Sequence, residues 1–598
     1  MGVKGLWKVL RPAASTQSVT RLAVDGFNTN LDGNRGYRIG IDASIWFGHT
    51  EKLKNRQRLG KNHALRTLFF RCTHLLEVPL LPLFVFDGKD RPSVKRGKVV
   101  HAKSSKLQKK MQELVDAFGF QWHLAPGEAE AELAYLNTVG VIDAIWTDDV
   151  DAFIFGATTL IRNPSNTLSS NAAKPILNAA GRDDGKHVAV LTAHDLASHG
   201  DVQLSRGGLI LIALLRGGDY NKGVPQIGMQ IAHALARCGF GESLLNAVQS
   251  LQSEQLSKFL ASWRIDLVSE LRTNSRGILG KKQTRLAQAF PQDFPNLQVL
   301  NAYINPVVSG SVGDVPQFDW HRKLDLAALA EVCERSLGWD DATVLKRFKS
   351  LVWTGAALRA LRDSIVSMDS IPDLQHTRHK ALGDPLTDMP AEQSEPPLDA
   401  SLIVGIHRQR EHTSTDFLPE LQVEVNTACF VRATQNALST LRHQPPVHPP
   451  AEATDEDERV QVQKHAGAST RAKSACGSVG AKDDDTLRIW LPACIVRLAV
   501  PQLAAAHGPG SENKQPTKRP RDKDQALDGT ARGSRKAVRT SADKTSPRGR
   551  GDSAPKRTQS PVIDLASDSD GDVIVISDSD DVLDGVGESA GVIIDLTS

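Results

Sequence analysis

Residues Ala125 to Gly156 read APGEAEAELAYLNTVGVIDAIWTDDVDAFIFG, and this stretch decides the fold. Pro126-Gly127 breaks the chain, after which Glu128 to Thr138 predicts a helix with Glu128 and Glu130 in its first turn. Val141 to Thr147 is a short apolar run of the kind that forms a buried strand of a parallel sheet. The run ends in Asp148, Asp149 and Asp151, and period-two alternation predicts Asp149 and Asp151 on one side with Asp148 turned away. Such a strand end is where open α/β sheets place their ligands. First-turn glutamates are favoured by the helix dipole alone, and aspartates after a strand are often only a solvated loop. The combination says more. Between Glu128 and Asp151 there is no basic residue, so these acids repel one another unless a cation sits among them, and hard oxygen ligands suit Mg²⁺ or Mn²⁺.

The same pattern recurs upstream. Gly5 to Leu10 predicts a short helix, Tyr37 to Ser44 a strand carrying Asp42, and Leu80 to Phe86 a strand closed by Asp87-Gly88. Three apolar runs therefore each deliver an aspartate at their carboxyl end. From Gly88 the chain turns basic, with Lys95, Arg96, Lys98, Lys103, Lys106, Lys109 and Lys110, and no acid after Asp90 until Glu113. A charge run is usually a solvated face, but this one leaves an acid-tipped strand and re-enters before the acidic helix, where a phosphate backbone would meet it. Downstream, His187 to Thr192 reads as a strand and Leu209 to Leu215 as a buried helix. Gly223-Val224-Pro225 with Ile227-Gly228 then reads as a hairpin, and the helix from about Met229 offers free N–H groups to a phosphate. Asp219, a seventh acid, stands just before it.

A length of 598 residues suggests two or three domains with linkers. Lys and Arg number 72 against 69 Asp and Glu, a net charge of +3, so the placement of charge matters more than its total. Six cysteines, Cys72, Cys238, Cys333, Cys429, Cys476 and Cys494, show no CxxC spacing, which argues against a zinc site and a secreted disulfide framework. No run is long enough to span a bilayer and no signal peptide is evident, so a soluble protein with no membrane partner is expected. Met1-Gly2 lacks the Ser or Thr at position six that myristoylation needs, since Leu6 stands there.

MGVKGLWKVL at the start, IDAS, VFDGK, APGEAEAELAYL, TDDVDAFIFG and LLRGGDYNKGVPQIG together resemble the flap-endonuclease/xeroderma-pigmentosum-G family of structure-specific 5′ nucleases, over roughly the first 240 residues and in the family's order. The resemblance implies an α/β fold, a PIN-like domain with a twisted, mainly parallel sheet and a helix-hairpin-helix element. It implies a two-metal phosphodiester hydrolysis with Mg²⁺, for which Mn²⁺ substitutes, and transfers metal-site roles to Asp42, Asp87, Glu128, Glu130, Asp149, Asp151 and Asp219. Lys95 falls near the family's catalytic lysine, offset by one inserted residue after Lys89. Gly2, Lys95, Lys98, Lys103, Lys106, Lys222, Gly223 and Gly228 take DNA-binding roles by the same carry-over. Arg21 to Gly36 has no counterpart and reads as a polar insert.

Within the family the chain is more similar to the Holliday-junction resolvase branch, of fungal type. Gly88 to Phe118 is too short for a threading arch, GEAEAELAYLN and GATTLIRN resemble that branch, and no sliding-clamp tail is present. The implied domains are a nuclease core over 1–240 with the hairpin from about 217, a helical extension over 241–370, a chromodomain-like β module over 400–505 with a disordered insertion at 443–485, and a disordered tail over 506–598. In the module, Leu402 to Arg410, Pro419 to Val425 and Leu487 to Val500 read as strands and a closing helix. The tail carries a basic tract, Lys514 to Arg521 and Arg532 to Arg539, of nuclear-localisation type. Ser546-Pro547 and Ser560-Pro561 beside it fit proline-directed phosphorylation. The apolar runs from Val562, Val573 and Val592, each flanked by acids, resemble SUMO-interacting motifs. The expected activity is resolution of branched double-stranded DNA (four-way junctions, flaps and forks) in recombination and repair, by a protein monomeric in solution that pairs on a junction. The alternatives are a 5′ flap endonuclease and a junction-binding scaffold without catalysis.

Overall fold

The computed structural model describes residues 2–30, 32–51, 62–92, 94–95, 98–99, 106–162, 176–313, 315–370, 402–443, 486–506, 573–575 and 593–595. Its strands, in chain order, are β1 (Ser15–Ser18), β2 (Tyr37–Asp42), β3 (Leu80–Phe86), the hairpin β4 (Val94–Lys95) and β5 (Lys98–Val99), β6 (Gln121–Leu124), β7 (Ala144–Trp146), β8 (Thr159–Arg162) and β9 (His187–Thr192). Seven of them form one sheet in the order β1-β9-β8-β7-β2-β3-β6. The pairs β2/β3, β2/β7, β3/β6 and β7/β8 are parallel, while β9 is antiparallel to both β8 and β1. Every residue of β3 is buried, as expected of a strand covered on both faces. Its side chains alternate between two cores: Phe84 and Phe86 pack with Phe69 and Leu114, while Leu83 and Val85 pack with Leu133 and Ile210.

The chain winds from β2 to β3 and β6 on one side, then returns to β7 and β8 on the other. This makes β2 the switch point, where a crevice opens at the carboxyl ends. Register aligns those ends, with Asp42 level with Val85 and Ile41 level with Trp146.

Of residues 21–36, the stretch to Thr29 is not a polar insert. Val19–Thr29 is a helix whose start is capped by Ser18 and whose Val19, Leu22, Ala23 and Phe27 are buried against the core. Their i, i+3, i+4, i+8 spacing lays one apolar stripe under a polar outer face, and the polar face dominates a reading by composition. The helices that follow pack on both faces of the sheet. Helices Phe240–Ser250 and Ser253–Thr273 pack on one face of the sheet, and Leu326–Val332, Asp341–Leu351 and Trp353–Asp369 on the other. The strap between them closes the sheet edge at β6: Arg322 donates to the carbonyl of Phe120 at 3.1 Å, and Gln121 donates to that of Asp319.

The module forms a second, antiparallel sheet, β10 (Ile403–Glu411), β11 (Pro419–Asn426) and β12 (Thr486–Pro492), in that order. Between β11 and β12 the helix Ala428–His443 is an addition to the expected strands, and Ala493–Ala499 is the closing helix. Val423, Ile489, Ile495 and Val496 join the same core as Leu361 and Phe69. Residues 444–485 lie outside the described residues, as does the tail from 507 apart from β13 (Val573–Val575) and β14 (Ile593–Asp595), which pair antiparallel.

Candidate metal and nucleic-acid site

Five segments deliver the acids to the carboxyl edge of β2, β3 and β7, the last being the turn after helix Arg206–Arg216 that carries Asp219. Asp42 ends β2, and its Oδ1 accepts from the N–H groups of Ser44 and Ile45 at 2.7 and 3.4 Å, at the start of helix Ala43–Glu51. Asp87 follows β3 and accepts from the Ala129 N–H at 3.0 Å, the Ser44 hydroxyl at 3.0 Å and Arg91 at 2.9 Å. The Pro126-Gly127 break is itself tied to this strand end, with Gly88 N–H donating to the Gly127 carbonyl at 2.7 Å. Glu128 is the N-cap of helix Ala129–Thr138 and Glu130 lies in its first turn.

The strand that precedes the aspartates stops at Trp146, so Asp149 and Asp151 share a side for a reason other than strand alternation. Asp149 sits in a turn, its N–H donating to the Thr147 hydroxyl at 2.9 Å, and Asp151 opens helix Asp151–Phe155 with its N–H on Asp149 Oδ1 at 3.1 Å. Asp148 is turned away as expected. Its carboxylate holds Arg162 at 3.0 Å and its carbonyl accepts from the Trp7 indole at 2.8 Å, while Arg162 stacks over the Trp7 ring at 4.6 Å. That third aspartate thus pins the N-terminal helix Leu6–Leu10 to the site.

Asp42, Glu128, Glu130, Asp149, Asp151 and Asp219 are all buried. Lys95 stands among them, paired with Glu128, with Glu130 at 2.9 Å and with Asp219 at 3.5 Å. One ammonium does not balance them. Burial, then repulsion by Asp87, pushes the Asp42 carboxyl up to about 7. Burial followed by Asp149 raises Glu130 well above the carboxylate range, and burial followed by Asp149 and Asp219 does the same to Asp151; burial also raises Asp149. Among the described residues no three His, Cys, Asp or Glu side chains already converge on one point as a closed metal cage. The set fits a hard divalent cation by its chemistry: all donors are oxygens, and the cluster is short of positive charge.

Gly2 closes the site from the N-terminus with φ +73°, and a Cβ there would collide with the carboxylates of Asp149 and Asp151. The adjacent Val3 N–H donates to Asp151 Oδ1 at 3.0 Å. The hairpin is formed as expected, with Gly228 the exposed N-cap of helix Met229–Arg237 and Lys222 exposed beside it. Gly223, at φ +76°, is required by the turn itself, since a Cβ would strike the backbone of Arg216 and Gly217. Lys106 and Lys109 are exposed in the first turn of helix Lys106–Ala117, where the helix dipole disfavours them. Lys98 lies in β5, and Lys103 lies outside the described residues.

Two tyrosines escaped sequence reasoning. The Tyr220 hydroxyl donates to Glu128 Oε2, and burial, then Glu128, pushes this phenol far above its usual range. Tyr303 packs its ring 4.8 Å from that of Tyr220 and is fully buried. The residue type at Tyr220, directly after Asp219, gives no sign of which carboxylate it meets.

Known families match this arrangement. The XPG N-terminal domain matches residues 1–109 and the XPG I-region residues 119–219, the two segments that supply all seven acids. Residues 1–219 are thus similar to the XPG N-terminal domain and I-region taken in order. Residues 402–507 match the Holliday junction resolvase Gen1 C-terminal domain. Similar proteins include "Flap endonuclease GEN homolog 1" of Mus musculus, 30% identical over 264 residues, covering 41% of this chain and 26% of the mouse protein. The Xenopus laevis "DNA excision repair protein ERCC-5 homolog" is 33% identical over 229 residues, covering 38% and 16%. The matched region thus spans about a quarter or less of these relatives. A crystal structure of the Holliday junction-resolving enzyme GEN1 in complex with product DNA and Mg²⁺ superimposes with a TM-score of 0.57 at 27% identity, covering 85% of this chain and 98% of that one. Another, of the same enzyme with product DNA, Mg²⁺ and Mn²⁺, gives 0.56 at 26% identity, with the same coverage.

Proposed function

We propose that the protein is a Mg²⁺-dependent structure-specific endodeoxyribonuclease that cuts branched double-stranded DNA, with the four-way junction as its substrate. The observation that carries this reading is the buried cluster of Glu128, Glu130, Asp149, Asp151 and Asp219 around the ammonium of Lys95, at the sheet's switch point. Together with Asp42 and Asp87, these residues would hold two Mg²⁺ ions. When bound, the metal supplies a water acidic enough to attack phosphorus and neutralises charge on the departing 3′ oxygen. Lys95 offsets part of the carboxylate charge in the metal-free protein and would be free to turn towards a scissile phosphate once the acids are otherwise neutralised. Gly2 keeps the approach beside Asp149 and Asp151 narrow, and the N–H groups after Gly228 with Lys222 grip the backbone of one duplex arm. Lys98, Lys103 and Lys106 would contact a second arm by the carry-over from the family resemblance, Lys106 being exposed at its helix start.

Similarity of residues 402–507 to a resolvase C-terminal domain supports the junction over the flap as substrate. The chain carries one set of seven acids, so two copies, each monomeric in dilute solution, pair on a junction and the symmetry of the DNA sets that of the dimer. The basic tract directs the protein to the nucleus, and the tail motifs from Val562, Val573 and Val592 bind SUMO or SUMO-modified proteins. A cruciform plasmid tests the central claim. Two coordinated nicks give linear product at limiting enzyme, whereas nicked circles with fast cutting of 5′ flaps would assign a flap endonuclease. Junction binding without any cutting would assign a scaffold.

A further inference from the structure

We infer that Tyr220 is a positioning residue for the metal site, holding one oxygen of Glu128 from behind so that the other alone is presented to a cation. The inference rests on the nuclease reading and adds to it a residue that acts through another.

The two oxygens of Glu128 have different partners: Oε2 accepts from the Tyr220 hydroxyl, and Oε1 meets the ammonium of Lys95. Glu128 is 4% exposed, and as N-cap of its helix its side chain accepts no capping hydrogen bond. Its orientation is therefore set from outside its own helix. Tyr220 is in turn immobilised by rings on two other elements, Tyr303 at 4.8 Å and Phe155 at 6.5 Å. Tyr303 belongs to helix Leu297–Ile304, whose last carbonyls accept from Arg206, at 3.2 Å for Tyr303 and 3.4 Å for Ile304. The same Arg206 donates to the carbonyl of Ile154 at 3.2 Å, so the clamp spans three helices.

A carboxylate fixed this way pays its ordering entropy during folding rather than on binding. It also offers one oxygen instead of two. Mg²⁺ and Mn²⁺ accept few ligands in a strict octahedron, whereas Ca²⁺ takes more oxygens and tolerates bidentate carboxylates. The phenol therefore favours the smaller ions over Ca²⁺.

The test is Tyr220→Phe in the full chain, which keeps the ring and removes the hydroxyl. Mn²⁺ binding read by electron paramagnetic resonance is expected to weaken about tenfold, the usual size of such a supporting contact, and Ca²⁺ binding read by calorimetry to change less. Junction cleavage by the variant recovers at high Mg²⁺ with an unchanged KM for DNA. In a Glu128→Gln background, adding Tyr220→Phe leaves Mn²⁺ affinity where it was, because the two act as one unit. Wild-type Mn²⁺ affinity in Tyr220→Phe overturns the inference, as does an equal loss in the Glu128→Gln background or an equal loss for Mn²⁺ and Ca²⁺. Wild-type protein that binds no Mn²⁺ and cuts no junction would overturn the nuclease reading and this inference with it. Where wild type does both, a failure of the Tyr220→Phe expectations counts against the tyrosine's role alone.

Discussion

Asp42→Asn is expected to make the metal-free protein more stable while removing one of the proposed metal donors. The side chain is 7% exposed, and burial, then repulsion from Asp87 and Asp149, moves its carboxyl from 3.8 to about 7. The sign follows from proton counting. Below about pH 4 both the folded and unfolded chains hold the proton, and Asp42 contributes nothing. Between pH 4 and 7 the unfolded chain has released it and the folded chain has not, so stability falls as pH rises, and above 7 the deficit is constant. A shift of about three units at 1.36 kcal/mol each sets that deficit at about 4 kcal/mol. Asn removes the charge yet keeps the oxygen that accepts from Ser44 and Ile45. Urea unfolding in EDTA measures the difference directly. At pH 8 the variant should unfold at higher urea, and the gap should close towards pH 4. Adding Mg²⁺ should reverse the order, since ligand stabilises only the protein that binds it. A variant less stable than wild type at pH 8 in EDTA, or a gap independent of pH, would refute the reasoning.

Asp149→Asn should abolish cleavage and leave junction affinity within about twofold in a gel-shift assay, because it removes a metal donor and no phosphate-gripping surface; Mg²⁺-dependent cutting by pure variant would remove Asp149 from the site. Reversing Lys106 and Lys109 to Glu should weaken DNA binding and flatten its salt dependence by about 0.9 in log–log slope per lost phosphate contact, and an unchanged slope would make that helix end a solvated face. His187 is buried between Asp184 at 3.0 Å and Asp416 at 2.9 Å, and Asp416 also takes the Ser18 N–H, so this imidazole joins the module to the edge of the main sheet. Burial acts to lower its pKa, and the two carboxylates reverse this and leave it raised. Its contribution is therefore full below about pH 6.5 and lost as pH rises through the raised value; His187→Gln should speed amide exchange in β10 and β11 at pH 6, and no change there would dismiss the clamp.

The strands that carry the acids were legible because each is a short apolar run ended by a turn, the pattern of a strand buried on both faces. Asp42 and Asp87 follow from that alone. Lys95 did not. Its spacing from Glu128 carries no periodicity, and only resemblance pointed to it, while the structure shows it bonded to three of the acids. Helix Val19–Thr29 was missed because Arg21, Asp25, Asn28 and Thr29 mask the stripe of Val19, Leu22 and Phe27. The two tyrosines were invisible for a different reason: a hydroxyl's direction is fixed by tertiary packing, which leaves no trace in spacing.

The wall behind the acids also orders events in time. Tyr303 comes from a helix translated well after Asp219, and it braces Tyr220. A chain still emerging from the ribosome therefore has all seven carboxylates outside the exit tunnel before it has the helix that completes their enclosure. The enclosure of the acids is thus completed by a part of the chain made after the last of them.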